Sequence, residues 1–288
     1  MFGNSLLQRL LERPGPVVSP GAWDALSAML IEKEGFDAVS ISGAAVTAAV
    51  LALPDKSFLG LSDIFQTSLR IAQAVQIPVI VDCEDGYGNA LHVIRAVREM
   101  ERIGIACLCI QDKDPVSGAL AQAKEMEGKV RAAVDTRRGI LLMARTDAFA
   151  AHGIEEAIAR ARRYAAAGAD IVFVDGLKKR DDMLRLRDAG IGVPLKYNNT
   201  IKADGRQWSS AELYEMGFKL VTYSASLQKA AIFGMRGLLR ELRASDRTEG
   251  YQDRKIAQSE RAALLGQAVW DRYEEKYTKG NEDAHDHC

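Results

Sequence analysis

One transition recurs along the chain. "EKEGFDAVSIS", "ERIGIACLCIQD", "AAAGADIVFVD" and "EMGFKLVTYS" each pass from helical residues, through a glycine, into a short apolar run. Gly35, Gly104, Gly168 and Gly217 stand where a helix ends in the left-handed conformation that glycine adopts freely. The runs that follow are continuously apolar rather than alternating, as expected of parallel strands buried on both faces. Eight such strands are predicted, at 15–20, 37–42, 78–83, 106–111, 139–144, 170–175, 193–198 and 219–224. Helical periodicity fills the gaps. Val93, Ile94, Val97 and Met100 mark one apolar stripe, and Ile154, Ala157, Ile158, Ala161 and Ala165 another.

Eight βα units with no linker between them predict a single α/β domain over residues 1–245, a (β/α)8 TIM-type barrel. A doubly wound open sheet is the competing architecture, but no GxGxxG follows the first strand. "SLQKAAIFGMRGLLRELRA" and "KIAQSERAALLGQAVWDRYEEKY" exceed what closing a barrel requires. Surplus helices with apolar stripes pack on another subunit or on the barrel bottom. Residues 246–288 are expected to form a C-terminal helical extension ending in a polar tail, "NEDAHDHC", disordered and at most an adventitious metal binder.

Composition narrows the picture. The 288 residues are 48% hydrophobic and 27% charged with a formal net charge of -1, which points away from nucleic-acid and membrane-surface partners. No apolar run is long enough to span a bilayer and "MFGNSLLQRLLERPG" lacks a signal-peptide core, so a cytoplasmic protein is expected. Of the four cysteines, Cys107 and Cys109 share one face of a strand, and none of the spacings, including Cys83 and Cys288, resembles a zinc site. They read as reduced, structural thiols.

Barrel active sites lie at the C-terminal ends of the strands. Those ends carry Ser42-Gly43, Asp55 on the loop that follows, Asp82 with Glu84 and Asp85, Gln111-Asp112, Arg145, Asp175, Asn198 with Thr200, and Tyr223-Ser224. Asp82, Glu84, Asp112 and Asp175 would bring four carboxylates to one mouth. An oxygen-only ligand set suits Mg2+ or Mn2+ rather than zinc. In "VDCEDGYGN", Asp82 and Glu84 share a face if the strand continues, Cys83 points away, and Asp85 belongs to the turn. Arg145, with its planar fork, is the expected anion partner. The competing reading makes these same residues ion pairs and helix caps.

These stretches together resemble the isocitrate lyase / phosphoenolpyruvate mutase superfamily over about residues 16 to 245. "IPVIVDCEDGYGNALHVIRAVREMERIGIACLCIQDKD" is similar to its metal-binding units and "LLMARTDAFAAHGIEEAIARARRYAAAGADIVFVDGL" to the next two. The resemblance implies a barrel whose last helix is swapped between subunits of a dimer or tetramer, and an essential Mg2+ or Mn2+ that chelates a small 2-oxo or 2-hydroxy acid. It implies metal contacts from Asp82 and Glu84, with Asp112 in the surrounding carboxylate shell. It also implies substrate contacts from the backbone of Ser42, Gly43 and Ala44, from Arg145, and from Asn198 and Thr200, with Asp55 near the reacting group.

Departures from the family pattern set the limits. Gln111 stands where the family has Glu, Asp175 where it has Glu, and "DKDPVSGALAQAKEMEGKV" lacks the Cys and His of the lyase gating loop. Lys113, Asp55 or a metal-bound water would then have to move the proton. The chain is expected to be a Mg2+-dependent lyase or decarboxylase acting on a small 2-oxo or 2-hydroxy di-acid through an enolate. The alternatives are a P–C bond enzyme of mutase or phosphonopyruvate-hydrolase type, and a barrel that binds a metabolite without catalysis.

Overall fold

A computed structural model describes residues 2–201, 205 and 207–278. The elements run α1 (Phe2–Glu12), β1 (Val17–Ala22), α2 (Ala25–Lys33), β2 (Val39–Ile41), α3 (Gly43–Leu51), α4 (Leu61–Ala74), β3 (Val79–Asp82), α5 (Ala90–Arg102) and β4 (Cys107–Gln111). They continue with α6 (Ala123–Thr136), β5 (Leu141–Thr146), α7 (Ala148–Ala166), β6 (Ile171–Val174), α8 (Arg180–Asp188), β7 (Leu195–Asn198), α9 (Ser210–Glu215), β8 (Phe218–Tyr223) and α10 (Ser226–Ser245). A 3-10 turn (Glu249–Arg254), α11 (Gln258–Leu264) and α12 (Gln267–Tyr277) follow.

All eight predicted strands form, each shifted by no more than two residues. They pair in chain order and β8 pairs with β1 in parallel, so the sheet closes and the open-sheet alternative is excluded. The four glycines just past their helices all have positive φ, as the helix–glycine–strand pattern requires.

Closure sorts each strand into two faces. Inward residues such as Val17, Ile80, Cys107, Cys109, Leu141, Met143, Ile171, Phe173 and Leu220 fill the barrel interior. Outward residues such as Val81, Leu108, Ile110, Leu142 and Ala144 pack under the helices with Val93, Val97 and Met100 of α5. A second patch of the same layer joins Val172, Val174 and Val221 to Ile154, Ala157 and Ile158 of α7. Cys83, Cys107 and Cys109 are free and buried, and burial pushes the Cys83 and Cys107 thiols up. Cys288 and the tail "NEDAHDHC" lie outside the described residues.

The chain divides into two compact units, Met1–Ala230 and Ala231–Cys288. The start of α10 is tied to the barrel, where Gln228 donates to the carbonyl of Ala45 at 2.7 Å. No residue of α10 is buried, and Ile232, Phe233, Met235 and Leu239 are exposed. In the second unit Tyr251 is buried and donates its hydroxyl to the Gly234 carbonyl at 2.9 Å. Among the described residues no helix is long and apolar enough to cross a membrane.

At the barrel seam, a Cβ on Gly21 of β1 would stand 2.0 Å from the carbonyl oxygen of Ser224, just past β8. Neither backbone can yield without opening the β1–β8 ladder. Gly21→Ala is therefore expected to cost at least ~3 kcal/mol, the upper range for overpacking. Denaturant unfolding of that variant measures it.

Candidate active site

The C-terminal mouth of the barrel opens into a cavity of about 450 Å³, a size suited to a small metabolite. Its wall includes Ser42, Gly43 and Ala44, Asp55, Asp82 and Glu84, Gln111 and Lys113, Arg145, and Asn198. Most of the predicted residues therefore do meet.

Each arrives for a local reason. Asp82 is the last residue of β3 and faces inward, while Cys83 is fully buried on the other side. The strand does not continue to Glu84, whose φ of 50 turns the backbone into the left-handed region. That turn returns the Glu84 side chain to the cavity, and its amide donates to Asp82 Oδ1 at 3.1 Å. Gln111 Nε2 donates to Glu84 Oε2 at 3.3 Å, setting a neutral donor beside that carboxylate. Asp85 turns away and pairs with the buried Lys129 at 3.1 Å, as a turn residue should. Ser42 caps α3, so the first amides of that helix, at Gly43 and Ala44, open on the cavity without intrahelical acceptors.

Asp112 corrects the expectation. Inward and outward positions alternate along β4, and Gln111 takes the inward one, so the next carboxylate lies outside the barrel. It is 1% exposed and accepts from Thr146 Oγ1 (2.7 Å), Asp147 N (2.9 Å), Arg160 Nη1 (3.0 Å) and Tyr164 OH (2.7 Å). Asp112 does not line the cavity, so the structure does not bring it to Asp82 and Glu84. Thr200 is exposed and does not line the cavity, and Asp175 is drawn off by Arg145.

Arg145 is saturated on two edges. Nε and Nη2 donate to the two oxygens of Asp147 at 2.7 and 2.9 Å, and Nη2 also reaches Asp175 Oδ2 at 2.9 Å. Nη1 stands 3.9 Å from Asp82 Oδ2. Burial opposes the charge on Arg145, but Asp175, Asp147 and Asp82 outweigh it and hold the guanidinium charged. Because Asp112 accepts from the Asp147 amide, the outer network positions Asp147 and through it Arg145.

The electrostatics leave negative charge in excess at the mouth. Burial raises Asp82 despite Arg145 and Lys196, and Asp55 adds to the rise. Glu84 is pushed up to about 7 by burial first, then by Asp82 and Asp55. Among the described residues no group of three His, Cys, Asp or Glu forms a cage of its own. Two carboxylates with open positions beside them are, however, what a hard cation such as Mg2+ uses when substrate and water supply the rest. The oxygen donors of Asp82 and Glu84 fit that ion.

Two further residues escaped sequence reading. Phe173 lines the cavity floor, and Lys196, 9% exposed, places Nζ 3.4 Å from the centroid of the Phe173 ring. Burial lowers the Lys196 ammonium to about 8. A charged residue in the apolar run "VPLKYN", two before Asn198 on the same face, was the available signal.

Comparison with known proteins follows from this geometry. A family model described as phosphoenolpyruvate phosphomutase matches residues 7–243. The chain belongs to the phosphoenolpyruvate mutase/isocitrate lyase superfamily. The expected barrel, and an enzyme of this superfamily, are borne out. A 2,3-dimethylmalate lyase from Eubacterium barkeri is 34% identical over 285 residues, covering 95% of this chain and 98% of that protein. An oxaloacetate decarboxylase from Pseudomonas syringae pv. tomato is 36% identical over 232 residues, covering 77% and 78%. A crystal structure of phosphonopyruvate hydrolase in complex with oxalate and Mg2+ superposes with a TM-score of 0.88 at 26% identity, covering 96% of this chain and 99% of that one.

Two outcomes test this superfamily site. Asp112→Asn weakens a buried ion-pair network and is expected to cost ~3 kcal/mol in chemical unfolding, while Mn2+ affinity is expected to stay within about twofold because Asp82 and Glu84 are untouched. A carboxylate must shed its proton to hold a cation, so Mn2+ affinity should be full above about pH 7. Below that it should fall by about tenfold per unit as Glu84 is protonated. Titrations across pH check this, and Glu84→Gln should flatten that part of the profile.

Proposed function

We propose that this protein is a Mg2+- or Mn2+-dependent lyase or decarboxylase acting on a small 2-oxo or 2-hydroxy di-acid through an enolate-like oxyanion. The observation that carries the reading is the Asp82–Glu84 carboxylate pair at the barrel mouth, set against Arg145, whose remaining edge faces that pair. Both carboxylates would hold the cation, which supplies Lewis-acid polarisation of the acid's carbonyl and charge for the oxyanion.

The chain's own residues supply the rest. The amides of Gly43 and Ala44 at the start of α3 offer donors and the positive end of a helix to a carboxylate. Arg145, fixed by Asp147 and Asp175, presents Nη1 without having to reorganise. Asn198 is held by the hydroxyl of Ser224, which donates to Oδ1 at 2.9 Å, so its amide nitrogen remains free to donate to the acid.

Proton movement falls to Asp55 and Lys113, both on the cavity wall. The loop that carries Lys113 is a compact turn closed by a Lys113–Leu120 bridge and by Asp114, which accepts from Ser117 N and Oγ. It offers neither Cys nor His. Decarboxylation asks less of such a loop than aldol-type cleavage, because CO2 leaves unprotonated and only the enolate carbon needs a proton. The relatives named above include both reaction types. P–C bond chemistry is the second reading, supported by Asp55 in the cavity and by the likeness to phosphonopyruvate hydrolase.

We further propose a cytoplasmic homo-oligomer, a dimer or a tetramer, with the C-terminal helix swapped. Two features support it. The exposed apolar side chains of α10 are those of a helix that packs on protein, with Phe233 80% exposed. The barrel itself bears an apolar groove lined by Val18, Leu30, Phe36, Tyr223 and Leu227.

Oxaloacetate, 2,3-dimethylmalate, 2-methylisocitrate and phosphonopyruvate, assayed in turn with Mg2+, test the proposal. Turnover of one of the first three that stops on chelation is the expected result. Turnover of phosphonopyruvate alone would establish the second reading. No turnover of any would return the barrel to a metabolite-binding role. Asp82→Ala is expected to lower kcat/KM by at least about 10³-fold while retaining the fold.

A further inference from the structure

One side chain in the cavity has no part in the reaction so far. Four Lys or Arg residues are buried among the described residues, and three of them are matched. Lys129 pairs with Asp85 at 3.1 Å, Arg160 pairs with Asp112 at 3.0 Å, and Lys219 donates to the carbonyls of Arg13 and Gly15. Lys196 is the exception. Its ammonium faces the Phe173 ring, and no acceptor among the described residues takes a hydrogen bond from it.

The charged and titratable groups around it come from every strand nearby. They are Asp82 of β3, Cys109 of β4, Arg145 of β5 and Asp175 after β6. None forms an ion pair with it. Asp175 is engaged by Arg145, Asp82 stands opposite Arg145 and accepts from the Glu84 amide, and Arg145 itself repels. A ring face steadies a cation but leaves the ammonium protons without acceptors. Its protons are therefore available to a ligand bound in the cavity.

Lys196 and Asn198 are alternate residues on the inner face of β7, so they project into the same cavity one above the other. Thr222 and Ser224 hold Asn198 through Oδ1, leaving its Nδ2 as a second unused donor. We propose that Lys196 is a substrate-contacting residue, its ammonium pairing with a carboxylate oxygen of the bound acid on the β7 wall beside Asn198. The assignment rests on the functional reading above for the identity of the ligand. The charge requirement comes from the fold alone.

Lys196→Met and Lys196→Arg test it, with oxalate as the probe acid and Mn2+ as the metal. Three quantities are measured by calorimetry and thermal melting: Mn2+ affinity, oxalate affinity in saturating Mn2+, and melting temperature. Lys196→Met is expected to weaken oxalate at least about 30-fold, to hold Mn2+ as the wild type does, and to melt no lower. Lys196→Arg is expected to recover part of the loss. Oxalate binding by Lys196→Met within about threefold of wild type would overturn the assignment alone. So would equal losses in the two variants, or loss of oxalate and Mn2+ together, which mark a structural role. A wild-type protein that takes Mn2+ but no oxalate would overturn the functional reading and this assignment with it.

Discussion

The guanidinium of Arg145 organises the mouth of the barrel, because three carboxylates from three strand ends converge on it. Asp147 and Asp175 occupy it at 2.7–2.9 Å, and Asp82 faces its last edge from 3.9 Å. Asp147 and Asp175 neutralise the arginine and hold it in one orientation. Asp82 and Glu84 are then left with a surplus of negative charge: burial and the nearby Asp55 raise both, and Asp82 raises Glu84 further. A divalent cation, as proposed above, would resolve that surplus. The same constraint explains why Asp112 had to leave the site, since its carboxylate instead anchors the Asp147 amide and so fixes the arginine's partner.

The fold was legible because every unit repeats the same physical sentence. A helix must end, a glycine such as Gly104 or Gly168 ends it in the left-handed region, and a doubly buried strand follows. Asp82, Glu84, Arg145 and Asn198 were legible for a related reason, since strand ends in a barrel converge by geometry whatever their partners. Asp112 was misread because one residue of register moves a side chain from the cavity to the helix layer. Arg160 and Tyr164, the partners that claim it, lie far along the chain on α7. Lys196 was passed over because a lone lysine inside an apolar strand carries no motif, and only its burial without an acceptor gives it meaning.

Asp82 and Glu84 share the cavity with a loop after β4 that carries neither Cys nor His. Within that loop Asp114 accepts from Val116 N and Ser117 N, and Val116 is 89% exposed. Gln111 of β4, Arg145 of β5 and Lys196 of β7 line the barrel interior below it. Gln111 sets a neutral amide beside Glu84, and the Lys196 ammonium adds a positive charge to the cavity wall. Both features would favour an anionic ligand.

The most direct test of this account is a crystal structure with Mn2+ and oxalate, read by anomalous scattering from the metal. The account predicts one Mn2+ in coordination with Asp82, with Glu84 beside it directly or through water, and oxalate on the metal's inward side. A metal seated against Asp112, or one that leaves Asp82 without contact, would contradict it.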